Sequence, residues 1–334
     1  APFDDYLTGL KSWYGGDGMY YIGVDLGGTN IKAAIVDGDC AILGEGSLPT
    51  ALPRSADEVC ADIAAAVRTA LDEAGLTLEQ MDGLGVGCPG TVNPQTGVVE
   101  YSNNLDWRGY PLRARLAGHL GLNAAMGNDA NVAALGEYCA GSARGTKSAV
   151  IVTLGTGVGS GVVIDGEILT GSNFAASELG HMVIERKGRA CTCGRHGCLE
   201  AYASATGLIR STREAAQIHP DSLLAKLARE GVTGRTAFDA AKAGDAAGQA
   251  VVDDYIDALA CGVANIINIF QPEIVSLGGG VAKEGEGLFG PLRARVYPQV
   301  FGGENASSAR IEACTLGYKA GLIGAAMLAA QANR

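Results

Sequence analysis

The stretch YYIGVDLGGTNIKAAIVDG, residues 20–38, decides how the rest of the chain is read. Residues 20–25 are apolar and β-branched, Gly27-Gly28-Thr29 supplies a turn, and residues 31–36 run back to a second turn pair, Asp37-Gly38. Strand, glycine turn and strand make a hairpin pattern. The layout returns in residues 150–154, Gly155-Thr156-Gly157, residues 162–164 and Asp165-Gly166, shifted by 128 positions without a gap. Of the fifteen positions from Val24 to Gly38, five are identical in the copy: Val24/Val152, Leu26/Leu154, Gly27/Gly155, Asp37/Asp165 and Gly38/Gly166. Two unrelated hairpins can share turn residues for chemical reasons alone. A duplicated domain explains the ungapped offset as well, and predicts two similar lobes.

Working outward, a helical pattern spans residues 56–74 and a strand spans 84–88, ending in Pro89-Gly90. A loop is expected as far as Trp107, then a helix over 112–120 and another starting near Asp129. After Cys198 the chain reads as mainly helical, with Ala-rich segments near 200–229, 236–246 and 248–270. A short strand at 274–277 enters Gly278-Gly279-Gly280, and a terminal helix covers 317–330. Strands alternating with helices predict an α/β fold.

The 334 residues, 47% hydrophobic and 18% charged, are enough for two average domains with a large core. Thirty-six acidic against 25 basic residues leave a net charge of -11, which repels phosphate backbones and anionic lipid, so neither nucleic acid nor a membrane is an expected partner. Every apolar stretch is interrupted before it could span a bilayer, and no charged start leads into an apolar block. Nine cysteines, an odd number in a chain too large to need stapling, point to a reducing compartment; the cytoplasm is the expected location. Residues 1–18 break the pattern and are set aside as a natural extension or a cloning remnant ahead of Met19.

A Gly and Thr turn after a strand lets backbone N–H groups converge on an anion with no Cβ in the way. Three such turns end three strands. The first offers Asp25 for a hydrated Mg²⁺, the amides of Gly27, Gly28, Thr29 and Asn30, and Lys32 for a phosphate. Thr156 with Gly157, and Gly279 with Gly280, supply two more, together suggesting a nucleotide phosphate site. The Rossmann and Walker spacings do not fit, because the first turn leads into a strand and no Gly-Lys-Ser/Thr occurs. His181, Cys191, Cys193 and Cys198 form H-x9-C-x-C-x4-C, the donor set of a structural Zn²⁺ site; spacing alone allows His196 in place of His181. The other six cysteines are isolated and read as core residues. Asp129 precedes an Ala-rich run, so it reads as a helix N-cap and, alternatively, as a catalytic base.

These motifs together resemble the ROK family of sugar kinases, over nearly the whole chain from Met19. Glu178-Leu179-Gly180-His181 followed by Cys191-Thr192-Cys193-Gly194-Arg195-His196-Gly197-Cys198-Leu199-Glu200 is similar to the family signature without departures, and Asn128-Asp129-Ala130-Asn131 resembles its base motif. The resemblance implies an actin-like, hexokinase-like (ribonuclease H-like) ATPase fold of two similar lobes with a cleft between them. Residues 19–136 would form a small lobe joined by the C-terminal helix 317–334, and residues 137–316 a large one. It selects His181 over His196, makes Asp129 the base, and makes Gly90, Asn104, Asn128, Glu178, His181 and Glu200 sugar contacts, with Asn103 competing with Asn104 and Trp107 open to either a sugar or a core role. It also implies ATP, Mg²⁺, a structural Zn²⁺ and a homodimer. Asn104-Leu105-x-Trp107 beside an intact zinc loop looks most like the bacterial glucokinases of the family, which phosphorylate glucose at the 6-hydroxyl. N-acetylmannosamine, N-acetylglucosamine, fructose and allose kinases are the alternatives, with polyphosphate as another donor, and a non-catalytic sugar-responsive regulator is a remote one.

Overall fold

The computed structural model describes residues 18–303 and 309–333, so the segment set aside above lies, apart from Gly18, outside the described residues. The first two strands, β1 (Tyr20–Leu26) and β2 (Asn30–Asp37), pair antiparallel around the glycine turn, with Val24 opposite Ala33 and Asp25 opposite Lys32. β3 (Ile42–Pro49) continues this hairpin to the sheet edge. The chain then rises through α1 (Ala56–Ala74) into β4 (Gly83–Cys88), parallel to β1.

The sequence explains the bounds of α1. Ser55 accepts from the Glu58 N–H while the Glu58 carboxylate accepts from the Ser55 N–H, a reciprocal cap. Gly75, left-handed at φ 67°, ends the helix. Val59, Ile63, Ala66, Val67 and Ala70 recur on one face and are fully buried. Ile22, Val24, Leu26, Leu84 and Val86 complete this core from the sheet, each contributing about 1.5–3 kcal/mol by leaving water.

Where the sequence predicts a loop up to Trp107, the structure holds a small antiparallel sheet of β5 (Thr91–Asn93), β6 (Val98–Ser102) and β7 (Trp107–Tyr110). None exceeds five residues, too short for a two-residue period to emerge, yet Val92, Val99 and Trp107 are buried. α2 (Leu112–Leu120) and β8 (Ala124–Asn128) follow, β8 parallel to β4, and α3 (Asp129–Ala140) leaves its end. The first sheet thus runs β3-β2-β1-β4-β8.

The second sheet repeats that order. β9 (Ser148–Leu154) has the bounds of β1 shifted by 128 residues, and β10 (Val158–Ile164) begins 128 residues after β2. With β11 (Glu167–Ile168), β12 (Ile274–Gly279) and β13 (Arg310–Ala313) the order is β11-β10-β9-β12-β13. β12 is parallel to both β9 and β13. Shared topology and a shared offset argue for duplication over coincidence. The helices α4 (Glu200–Ala203), α5 (Ala205–Ile218), α6 (Leu223–Glu230), α7 (Thr236–Lys242) and α8 (Ala246–Phe270) are inserted before β12; α9 (Glu286–Val296) follows it, and α10 (Lys319–Ala332) ends the described chain.

Two compact units result. One comprises the chain up to Lys147, Gly161–Ser177 and the chain from Thr315; the other comprises Ser148–Ser160 and Glu178–Cys314. The return of residues 161–177 to the first unit differs from the sequence-based boundary at 136/137. Its physical basis is that Gly161 lies against Ala134 of α3, and the Gln331 side chain of α10 donates to the Gly166 carbonyl at 2.8 Å. α10 itself packs backbone to backbone within this unit. The Ala325 carbonyl occupies the place of a Cβ at Gly85, and the Val132 carbonyl does so at Gly324. Among the described residues no helix is long and apolar enough to cross a membrane.

Candidate active site

In the first unit β1, β4 and β8 lie side by side and in register, Asp25 opposite Gly87 and Gly87 opposite Gly127. Their carboxyl ends therefore bring Asp25, Pro89-Gly90 and Asn128-Asp129 to one edge, the edge at which parallel sheets bind ligands. Asn128 caps α3: its side-chain oxygen accepts from the Ala130 and Asn131 N–H groups (2.9 and 3.2 Å), and its amide donates to the Gly90 carbonyl (3.0 Å). The capping role open to Asp129 in the sequence thus falls to its neighbour. Asp129 stands at the first helical position with Oδ1 also accepting from the Ala130 N–H (2.9 Å). Burial lifts its carboxyl above the ordinary carboxylate range, against the Ala130 N–H and the Asn128 side chain, which hold it down. Burial, and then the charge of Asp129, push Asp25 up to about 6, with the Lys32 ammonium opposing. Two half-buried carboxylates close enough to feel each other's charge favour a proton or a divalent cation.

The first glycine turn is tied down by a residue that nothing in the sequence singles out. Thr50, just past β3 and fully buried, donates its hydroxyl to the Gly27 carbonyl (2.7 Å) and its N–H to the Thr29 carbonyl (2.8 Å). Gly27, expected to offer its amide to a phosphate, instead donates its N–H to the Asn30 carbonyl (2.9 Å), because the tight turn closes on itself; Gly28, Thr29 and Asn30 are exposed. Asn104 sits beside Gly28, whereas Asn103 accepts from the Tyr101 hydroxyl (3.2 Å), so the neighbours face different groups. Gly90 has φ 102°, with the Tyr101 backbone where a side chain would lie. Trp107 is a core residue, buried and tilted against Tyr110 at 4.7 Å between ring centroids.

In the second unit β9 and β12 place the other two glycine turns next to one another, Leu154 opposite Gly279. Ala205 donates its N–H to the Gly155 carbonyl (2.8 Å), and Thr156 is exposed. Glu200 joins this turn to the cysteine loop. Its Oε2 accepts from the Val158 N–H (3.0 Å), while Oε1 lies 3.4 Å from Thr192 Oγ1 and 3.7 Å from Cys191 Sγ. Glu178 precedes a single 3-10 turn, Leu179–His181, which Ser160 Oγ anchors by accepting from the Leu179 N–H (3.1 Å).

The donor atoms of His181, Cys191, Cys193 and Cys198 all lie within 4.8 Å of one another, and His196 is outside the set. Cys193 Sγ and Cys198 Sγ are 3.7 Å apart, as are Cys191 Sγ and His181 Nδ1. A tetrahedral Zn²⁺ with ~2.3 Å Zn–S bonds separates its sulfurs by about 3.8 Å, so spacing and donor chemistry both fit the ion. A disulfide would need about 2.05 Å, and all nine cysteines are free thiols. Of the six isolated cysteines read as core residues, Cys60 and Cys88 are buried, whereas Cys40, Cys139, Cys261 and Cys314 are half-buried. The site residues read from the sequence therefore form two groups. Asp25 to Lys32, Gly90, Asn104, Asn128 and Asp129 lie in the first unit; Thr156, Gly157, Glu178, Glu200, Gly279, Gly280 and the metal donors lie in the second. Thr50, Ser160 and Tyr318, which touch these groups, carry no sequence pattern that marks them.

Comparison with known proteins finds relatives over most of the chain. The ROK family model matches residues 21–332. The chain is 40% identical over 310 residues to the glucokinase of Thermotoga maritima, covering 92% of this chain and 96% of that one. It resembles the solved structure of a ROK family glucokinase from Streptomyces griseus in complex with glucose and AMPPNP, at 35% identity and TM-score 0.77 over 93% of this chain and 99% of that one. It also resembles the ROK hexokinase from Thermus thermophilus, at 33% identity and TM-score 0.80 over 93% and 98% of the two chains.

Proposed function

The chain belongs to the ROK family, and from that premise we propose that it is a glucokinase, transferring the γ-phosphoryl group of ATP to the 6-hydroxyl of glucose. The fold is the actin-like two-lobed ATPase fold. The observation that carries the reading is Asp129: a half-buried carboxylate with a raised pKa at the start of α3, where Asn128 takes the N-cap position. A base whose pKa is lifted toward the working pH takes a proton more effectively.

Asp129 accepts the proton of the sugar hydroxyl as that oxygen attacks the γ-phosphorus and the bond from phosphorus to the β-phosphate oxygen breaks, releasing ADP. One amide hydrogen of Asn128 is used on Gly90, and the other serves the sugar beside Asn104 and the Gly90 backbone. Glu178, His181 and Glu200 read further hydroxyls, since paired polar side chains distinguish a hydroxyl from its absence. The turns at Gly27–Asn30, Thr156-Gly157 and Gly279-Gly280 hold the nucleotide, with Lys32 on a phosphate. Asp25 would hold Mg²⁺, which would neutralise charge on the phosphate oxygens. His181, Cys191, Cys193 and Cys198 would hold Zn²⁺, whose role there would be to fix the loop. Nine free thiols support a reducing, cytoplasmic setting, and a homodimer follows from the family resemblance.

The test joins a substrate panel to one variant. Across glucose, N-acetylmannosamine, N-acetylglucosamine, fructose and allose, glucose should give the highest kcat/KM; an N-acetylated sugar in first place would move the reading to a hexosamine kinase. Asp129→Ala should lower kcat by about 10²- to 10⁴-fold with the affinity for glucose, measured by calorimetry, nearly unchanged. Near-normal turnover in that variant would remove Asp129 from the base role.

A further inference from the structure

We propose that Tyr318 is a positioning residue for Lys32: its ring is an uncharged platform that aims the Lys32 ammonium at the first glycine turn without neutralising it. The inference rests on the reading that Lys32 serves the phosphate end of ATP. Asp25 and Lys32 are directly opposite on paired antiparallel strands, so both side chains leave the same face of the sheet. α10 begins against that face, with Gly321 of its first turn lying on the Asp25 carboxylate. Tyr318 immediately precedes the helix, and Lys32 Nζ stands 4.3 Å from its ring centroid, well within cation–π range.

The platform is itself fixed from the core. Glu137 of α3, almost wholly buried, accepts from the N–H groups of Thr315 (3.1 Å) and Leu316 (2.8 Å), pinning the segment that carries Tyr318. On the outer side the Tyr318 hydroxyl donates to Glu45 Oε1 at 3.4 Å.

The chemistry explains why an aromatic ring suits this place. A lysine ammonium is a compact charge on a flexible stem, and with Asp25 across the strand pair its default is to collapse into an ion pair. Such a pair would occupy N–H donors and cancel the charge a triphosphate needs. A π face attracts the ammonium through the ring quadrupole, yet leaves its donors and its full charge to an anion.

Steady-state kinetics on the full chain test this with Tyr318→Phe and Tyr318→Leu, each alone and combined with Lys32→Ala. Tyr318→Leu should raise the KM for ATP·Mg²⁺ about two- to fivefold while the KM for glucose holds, and Tyr318→Phe, which keeps the ring, should stay within about twofold of the parent. On the Lys32→Ala background Tyr318→Leu should add nothing. The proposal fails if Tyr318→Leu leaves the ATP KM at the parent value. It fails equally if the effect persists in full without Lys32, the mark of a structural role through α10. If Lys32→Ala alone leaves the ATP KM unchanged, the phosphate role of Lys32 is what has failed, and the inference goes with it.

Discussion

Two adjacent residues divide the labour at the end of β8: Asn128 satisfies the first amides of α3, and Asp129 keeps a carboxylate in the buried edge of the sheet. Asp25, one of two half-buried carboxylates there, is the clearer thermodynamic case because its folded-state pKa lies near 6, above the usual 3.8. A carboxyl raised on folding binds its proton more tightly in the native state. Its ionisation therefore costs nothing below the unfolded pKa, and the cost grows as pH rises through about 6. Asp25→Asn should accordingly stabilise the ligand-free protein at pH 7.5 by on the order of 2 kcal/mol, with the gain fading toward pH 4. Urea denaturation at the two pH values checks this, and equal gains at both would show that the cost is not one of charge. The same variant should lose most of its ATP·Mg²⁺ affinity, since what destabilises the empty site is what attracts the cation.

At the scale of elements, features with a local chemical cause were legible. α1 carries its capping box and terminal glycine in the sequence, and the bounds of β9 follow from the repeat offset. The β5-β6-β7 sheet was not legible, since strands of three to five residues owe their form to pairing partners rather than to a period. Nor was Thr50, whose hydroxyl reaches the Gly27 carbonyl only because β3 folds back beside β2. The metal donors were readable as a set, while the choice of His181 over His196 needed the family resemblance, because spacing constrains reach and not direction. That loop has little regular structure of its own: two isolated bridges, Val183 with Cys198 and Ala190 with His196. Its shape should therefore depend on the ion. Stripping metal with a strong chelator should release zinc, measurable by mass spectrometry, and raise the KM for glucose about tenfold or more through His181 and Glu200. Purified protein without zinc, or an unchanged glucose KM after its removal, would overturn this role.

Over the whole molecule, duplication produced two sheets of the same order and then let them diverge in cargo: the first kept the half-buried carboxylates, the second gained the inserted helices and the cysteine loop. What the halves share is backbone, a hairpin with matching strand bounds; what sets the wider field is side-chain charge. With 36 acidic against 25 basic residues, the surface as a whole repels polyanions. The field bears on the phosphoryl donor. ATP with Mg²⁺ is a compact dianion, whereas long-chain polyphosphate must bring many more charges past the acidic surface. ATP should therefore exceed polyphosphate in kcat/KM by about a hundredfold or more at low ionic strength. Because the screening length falls from about 10 Å at 0.1 M salt to about 3 Å at 1 M, the gap should narrow as salt is added. Initial rates with both donors across a potassium chloride series read this directly. Equal use of polyphosphate at low salt, or a gap that widens with salt, would mean that a local basic track overrides the global charge.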